Sequence, residues 1–195
     1  MGIVPLDQHR RTRVRRRSLA FILSLVVLCV SVPSIDAQEA QPEYQLKAAF
    51  LSKFPEFTEW PESALNSRQT IDICVPRPSP FGKALDELVA GETLRGRTLV
   101  TREIGSVQAV DTCQLLFVPI QSALDRKQLL ARAEKRPVLT VGDYPSFLDE
   151  GGIVNLRVVG GRVRFEIDVA AADRAGVRLS SQLLRLALNV RRGPT

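Results

Sequence analysis

Few side chains in this 195-residue chain are able to do chemistry: one His (His9) and three Cys (Cys29, Cys74 and Cys113). His9 lies within the first 37 residues, so no imidazole follows Ala37. A Ser-His-Asp triad, a His general base or a His-ligated metal has no material there. Cys74 and Cys113 are too few for a zinc site, and no His stands by to activate a thiolate. The carboxylate pairs Asp149/Glu150 and Glu166/Asp168 remain. Carboxylates this close in sequence suit solvated turns or strand neighbours better than the facing acid and base of a glycosidase. There is no GxGxxG and no GxxxxGK[ST], and Gly151-Gly152 and Gly160-Gly161 read as turn glycines. The expectation is no catalytic residue, no metal and no cofactor.

One turn could receive a small ligand. Pro76 to Gly82 follows an expected strand and leads into an expected helix. Free N–H groups at Ser79, Phe81 and Gly82 would face an anion where open α/β sheets bind ligands. The same turn serves equally well as a plain connection.

Composition places the chain among folded proteins. It is 45% hydrophobic and 25% charged, which excludes wholesale disorder. The net charge of +6 is unevenly spread. Residues 1–37 hold six Arg against two Asp, a net of +4, and residues 38–195 hold 21 basic against 19 acidic residues, a net of +2. The folded part therefore has no electrostatic footprint for nucleic acid.

The first 37 residues have the layout of a secretory signal peptide. A cationic stretch, Arg10 to Arg17, precedes the 14-residue run Leu19 to Val32, which only Ser24 and Ser31 interrupt. Pro33 ends the run and Ala37 offers a small residue for cleavage. A membrane-spanning helix needs about 20 apolar residues, more than this run holds. An uncleaved anchor is the other arrangement, and both put the rest of the chain in the periplasm. In an oxidising compartment Cys74 and Cys113 allow one intramolecular bridge, with two separately buried thiols as the alternative.

These residues need elements to position them. Residues 38–42 read as a linker, 43–190 as one domain and 191–195 as a tail. Glu43 to Trp60 has helical apolar spacing at Leu46, Phe50, Phe54 and Phe57, and Pro55 inside it should end or kink the helix near Phe54. Ile71–Val75, Gln114–Ile120 and Pro137–Val141 read as buried strands, and Arg97–Ile104 as a partly exposed one. Helices are expected over 81–90 and over 122–135, the second capped by Ser122. Ile153–Val159 and Arg162–Val169 form a hairpin about Gly160-Gly161. Ala170–Val190 reads as a helix broken at Gly176, with Leu179, Leu183, Leu184, Leu186 and Leu188 on its core face. The sum is an α/β single domain: a mixed, mainly parallel sheet with flanking helices, a C-terminal β-hairpin and a last helix.

Three segments carry a likeness. The first is Lys47-Ala48-Ala49-Phe50-Leu51 with Phe54, Phe57 and Trp60-Pro61. The second is Ile73-Cys74-Val75 with Pro80-Phe81-Gly82, Ala84-Leu85 and Gly96-Arg97. The third is Phe165-Glu166-Ile167-Asp168 with Ala175-Gly176 and Leu179 to Ala187. In order and spacing, from about Glu43 to Val190, they resemble the YfiR-like family of periplasmic regulators. The resemblance implies a small α/β domain, forming a homodimer, that represses a membrane-bound diguanylate cyclase by contact with its periplasmic sensor domain. Release of the repressor would raise cyclic-di-GMP and promote biofilm, and an outer-membrane lipoprotein would sequester it. Cys74 and Cys113 match a disulfide pair of that family. A second pair has no counterpart, since Leu148 and Asn155 stand about where it would fall. Pro55 also departs from the family's usual first helix.

The resemblance points to Glu166 as a partner contact, with Phe165, Val154 and Ala172 as further members. A solvated strand face is the plainer reading of Glu166. Phe50, Phe54, Phe57 and Trp60 read as core or as a partner-facing aromatic edge, and Phe147 and Leu148 as an exposed loop. Two functions compete: a binding regulator of the cyclase, and a periplasmic small-ligand receptor feeding another membrane sensor. The first needs an exposed apolar patch, the second a concave polar pocket.

Overall fold

A computed structural model describes residues 2, 42–65, 68–122 and 124–193. Apart from Gly2, the expected leader lies outside the described residues, as do residues 38–41 of the linker and the last two of the tail. The described residues from Pro42 onward belong to one unit.

The chain opens with helix α1 (Pro42–Lys53), ended by Pro55 in a one-turn 3-10 segment, Phe54–Phe57. Strand β1 (Thr58–Glu59) and helix α2 (Glu62–Leu65) follow. The central strands are β2 (Thr70–Pro76), β4 (Arg97–Ile104), β5 (Leu115–Val118) and β6 (Leu139–Gly142). Helix α3 (Ala84–Val89) and strand β3 (Thr93–Leu94) connect β2 to β4. Helix α4 (Arg126–Ala133) connects β5 to β6. The hairpin is β7 (Val154–Val159) and β8 (Arg162–Asp168). Helix α5 (Val169–Ala175), strand β9 (Arg178–Leu179), helix α6 (Ser181–Leu186) and strand β10 (Asn189–Arg191) complete the chain.

Among the described residues the strands form an eight-stranded sheet, β10-β8-β7-β6-β5-β2-β4-β3. Strands β4, β2, β5, β6 and β7 run parallel to one another, and β10 runs parallel to β8. Strands β3 and β8 pair antiparallel to β4 and β7. The α/β architecture with a mainly parallel sheet is therefore as the sequence implies. β5 and β6 are buried at every position because both faces of the sheet are covered. Ile71, Ile73, Val75, Leu115 and Phe117 join the core beneath α1 and α3. Cys74, Leu116 and Val118 alternate to the other face, beneath α4. There Cys74 bonds to Cys113 with the Cα atoms 5.8 Å apart, tying β2 to the start of β5.

Three local readings are corrected. The helix expected over 81–90 spans only Ala84–Val89, because Phe81 is drawn into the core with its ring 4.9 Å from that of Phe117. The cap of α4 is Asp125, which accepts from Gln128 N at 2.9 Å, while Ser122 N closes a turn onto Pro119 O. The helix expected over 170–190 is two short helices and two strands. Gly176, at φ 72°, ends α5 in the left-handed region. Ser180 N then bonds Phe57 O, β9 pairs with β1, and Ser180 Oγ recaps the chain at Leu183 N. Cross-chain backbone bonds outweigh the helical periodicity, so Leu183 is buried while Leu186 and Leu188 are exposed.

Phe147 and Leu148 are likewise buried, against the exposed loop expected. The Phe147 ring is wedged between Gly142 and Gly152, where added Cβ atoms would lie 2.3 Å and 2.2 Å from it.

Two stability outcomes follow from these contacts. Cys74→Ala/Cys113→Ala, which opens a cross-link spanning 39 positions, should cost about 4 kcal/mol in the chain-entropy account. A fall in the denaturant midpoint, with a steeper slope because the unbridged denatured chain exposes more surface, is the reading to check. Gly152→Ala should cost about 1–3 kcal/mol by overpacking against Phe147, measured the same way.

Candidate functional site

The antiparallel register of β7 and β8 sets Leu156 opposite Phe165 and Asn155 opposite Glu166. Since successive strand residues point to opposite faces, Phe165 faces α1 and Glu166 the other side. The two expected partner contacts are thus separated by the sheet.

On the α1 side an apolar groove of about 220 Å³ lies between the first helix and the C-terminal segment. Its floor is Phe165, with Phe50 and Phe54 packed edge-on to it at ring distances of 5.8 Å and 5.5 Å. Ala49, Lys53 and Phe57 form one wall, Leu183 and Leu186 the other. The helical spacing 46, 49, 50, 53, 54, 57 puts the first wall on one face of α1 and its following turn. The bonds Ser180 N to Phe57 O (2.9 Å) and Leu188 N to Phe165 O (2.8 Å) hold the second wall in place. Phe54 is buried, Phe50 and Phe57 half-buried, and Leu186 is 58% exposed. Lys53 stands at the mouth in an exposed pair with Glu56.

The remaining expectations divide cleanly. Val154 and Ala172 are buried in the core and present no contact surface. Trp60 is core too, its Nε1 donating to Gln114 O at 3.1 Å. Glu166 keeps a 14% exposed side chain, 3.4 Å from Arg157 Nη1. Asn155 beside it is buried with neither amide atom bonded, and Leu148 is buried as well. Asp168 caps α5 by accepting from Ala171 N, and Glu150 accepts from the Tyr144 hydroxyl and Ser146 Oγ. The carboxylate pairs thus have structural partners.

Two of the three donors in the turn at Ser79, Phe81 and Gly82 are engaged. Ser79 N bonds Glu103 Oε1 at 3.2 Å, and Phe81 N bonds Ser79 Oγ at 3.3 Å. A carboxylate therefore stands where an incoming anion would need to be. The helix beyond starts at Ala84 and has only six residues.

A buried ionic cluster went unread in the sequence. Lys47 Nζ lies 2.7 Å from Asp143 Oδ2 and 2.5 Å from Glu43 Oε1, and the Lys47 and Asp143 side chains are 4% and 1% exposed. Asp143 also accepts from Tyr44 Oη at 3.0 Å and Ile120 N at 2.9 Å. Burial, then the Asp143 charge and hydrogen bond, hold the Tyr44 phenol well above its ordinary range. The cluster fastens α1 to the C-terminal ends of β5 and β6. The spacing Lys47, Leu51, Phe54 on one helix face was the available signal.

The groove's two walls should separate experimentally. Phe54→Ala should cost about 3–5 kcal/mol and Leu186→Ala no more than about 0.5 kcal/mol, compared by chemical denaturation.

Among solved structures the chain is similar to a conserved domain protein from Vibrio cholerae O1 biovar El Tor. Identity is 13% and the TM-score 0.47, over 77% of this chain and 60% of that one. It is also similar to the ABC domain in complex with L-Trp from Streptococcus pneumonia, at 13% identity and TM-score 0.46 with the same coverage. The chain thus spans about 60% of the length of either. The YfiR/HmsC-like family model matches residues 44–188, from the first turn of α1 to the residue before β10. That span takes in the groove, the disulfide and the buried ionic cluster, and the chain belongs to the YfiR/HmsC-like family.

Proposed function

We propose that this protein is a periplasmic repressor. It docks on the periplasmic sensor domain of an inner-membrane diguanylate cyclase, holds that enzyme inactive, and so lowers cyclic-di-GMP and biofilm formation. The observation that carries the reading is the open apolar groove floored by Phe165 on a regulatory family's scaffold. A concave face of aromatic and aliphatic side chains with one cation at its mouth suits an apolar side chain of a protein partner. The Arg-rich, apolar leader of the sequence supports export to the same compartment.

The mechanism needs no bond-making. A repressor that prefers the inactive cyclase shifts that equilibrium by its ratio of affinities for the two states. An outer-membrane lipoprotein that binds the repressor lowers its free concentration and reverses the shift. Pairing of two copies as a homodimer would present two grooves to a dimeric cyclase. The small-ligand alternative at Ser79 to Gly82 gains no support, since the Ser79 and Phe81 donors are already used.

Deletion of the gene should raise cellular cyclic-di-GMP several-fold, and the wild-type gene should restore it. Leu186→Glu should fail to restore it while accumulating normally and unfolding at the wild-type midpoint. Unchanged cyclic-di-GMP after deletion, or full restoration by Leu186→Glu, would count against the proposal.

A further inference from the structure

The outer half of the β7–β8 hairpin stands apart from the rest of the sheet. β6 pairs with β7 only at Val154 and Asn155, and β10 pairs with β8 only from Glu166 to Asp168. Residues 157–164 therefore pair only with one another, as an arm closed by Gly160 and Gly161 at φ 57° and 71°. Val163 still packs against the core and Arg157 and Val158 border a cleft beside Glu43 and Tyr144, but the composition toward the turn is unusual. Val158 and Val159, next to the turn, are 49% and 44% exposed. Arg157, Arg162 and Arg164 are exposed as well and share the face of Val159, while Val158 points to the opposite face with Val163. Arg157 sits directly opposite Arg164, and Val159 opposite Arg162, so the three guanidinium groups share one face. Like charges placed directly across a strand pair repel one another. Glu166 offsets only Arg157, and among the described residues neither Arg162 nor Arg164 forms an ion pair.

A strand pair that accumulates cations around an apolar, two-glycine tip is built to meet a surface that is negative outside and apolar just beneath. A bilayer bearing anionic phospholipid has that profile, with headgroup phosphates for the arginines and the acyl boundary for the valines. We propose that the Val158–Arg162 tip, with Arg157, Arg162 and Arg164 on one face, is a membrane-contact arm specific for anionic phospholipid surfaces. An acidic protein would satisfy the arginines but would leave Val158 and Val159, exposed on opposite faces of the same tip, without a reason to be exposed. The arm is remote in sequence from the groove walls of α1 and α6, and it does not depend on the groove's partner being a cyclase.

A reporter at the tip tests this in the full chain. Val159→Trp places an indole there, while the native Trp60 is buried and serves as a constant background. With vesicles of phosphatidylethanolamine and about one-quarter phosphatidylglycerol, the tip emission should shift to the blue. Phosphatidylcholine vesicles should leave it unmoved, and about 0.5 M salt should reverse it. Arg162→Glu/Arg164→Glu in the same background should weaken the response about tenfold or more. The proposal is overturned if the emission stays unmoved on anionic vesicles, as it would if an acidic protein were the true partner. It is equally overturned if neutral vesicles give the same shift, or if charge reversal leaves the shift intact because the leader alone holds the chain on lipid.

Discussion

The pairing of β7 with β8 decides which side of the sheet each candidate residue occupies. Leu156 opposite Phe165 puts that ring under α1, and Asn155 opposite Glu166 sends the carboxylate to the other face. A slip of one residue would exchange them, exposing an aromatic ring and burying a charge. The energetic gap between those arrangements keeps the register, and with it the floor of the groove and the arginine face of the arm.

The groove itself is assembled from distant stretches of chain. Pro55 ends α1 so that Phe57 turns back toward the sheet, and β1 then captures β9. That capture carries Leu183 and Leu186 across to face Phe50 and Phe54. Covalent and ionic fastenings hold the two ends of the scaffold. The Cys74–Cys113 bridge fixes β2 to β5 on one face, and the Lys47–Asp143 pair fixes α1 on the other. Removing one partner of a buried pair leaves an uncompensated charge, so the latter contact locks geometry more than it adds stability.

Much of the fold was legible because its signals are local. Continuous apolar runs such as Leu115–Val118 read as buried strands, Gly160-Gly161 as a hairpin turn, and Pro55 as a helix end. The C-terminal segment was illegible because its strands are two and three residues long and exist only through distant partners, Phe57 for Ser180 and Phe165 for Leu188. Leucine spacing over 179–188 mimics a helix in one dimension, while the chain bends in three. Within the candidate site, Phe50, Phe54, Phe57 and Phe165 are legible from apolar spacing and from the family resemblance. Leu186 was expected in the core, and its exposure makes it a wall of the groove. Val154 and Ala172 were named from resemblance alone and are core residues, for a family pattern does not distinguish contact from support. Lys47 carries no local sign of its buried position, since a lysine rarely signals burial.

The proposed repressor docks its partner at the groove between α1 and α6. Hydrogen–deuterium exchange on the protein, alone and with the purified periplasmic domain of the cyclase, tests it most directly. The account predicts slowed exchange in residues 46–57 and 181–188 on addition of that domain. Protection confined to other segments, with these amides exchanging as in the free protein, would contradict it.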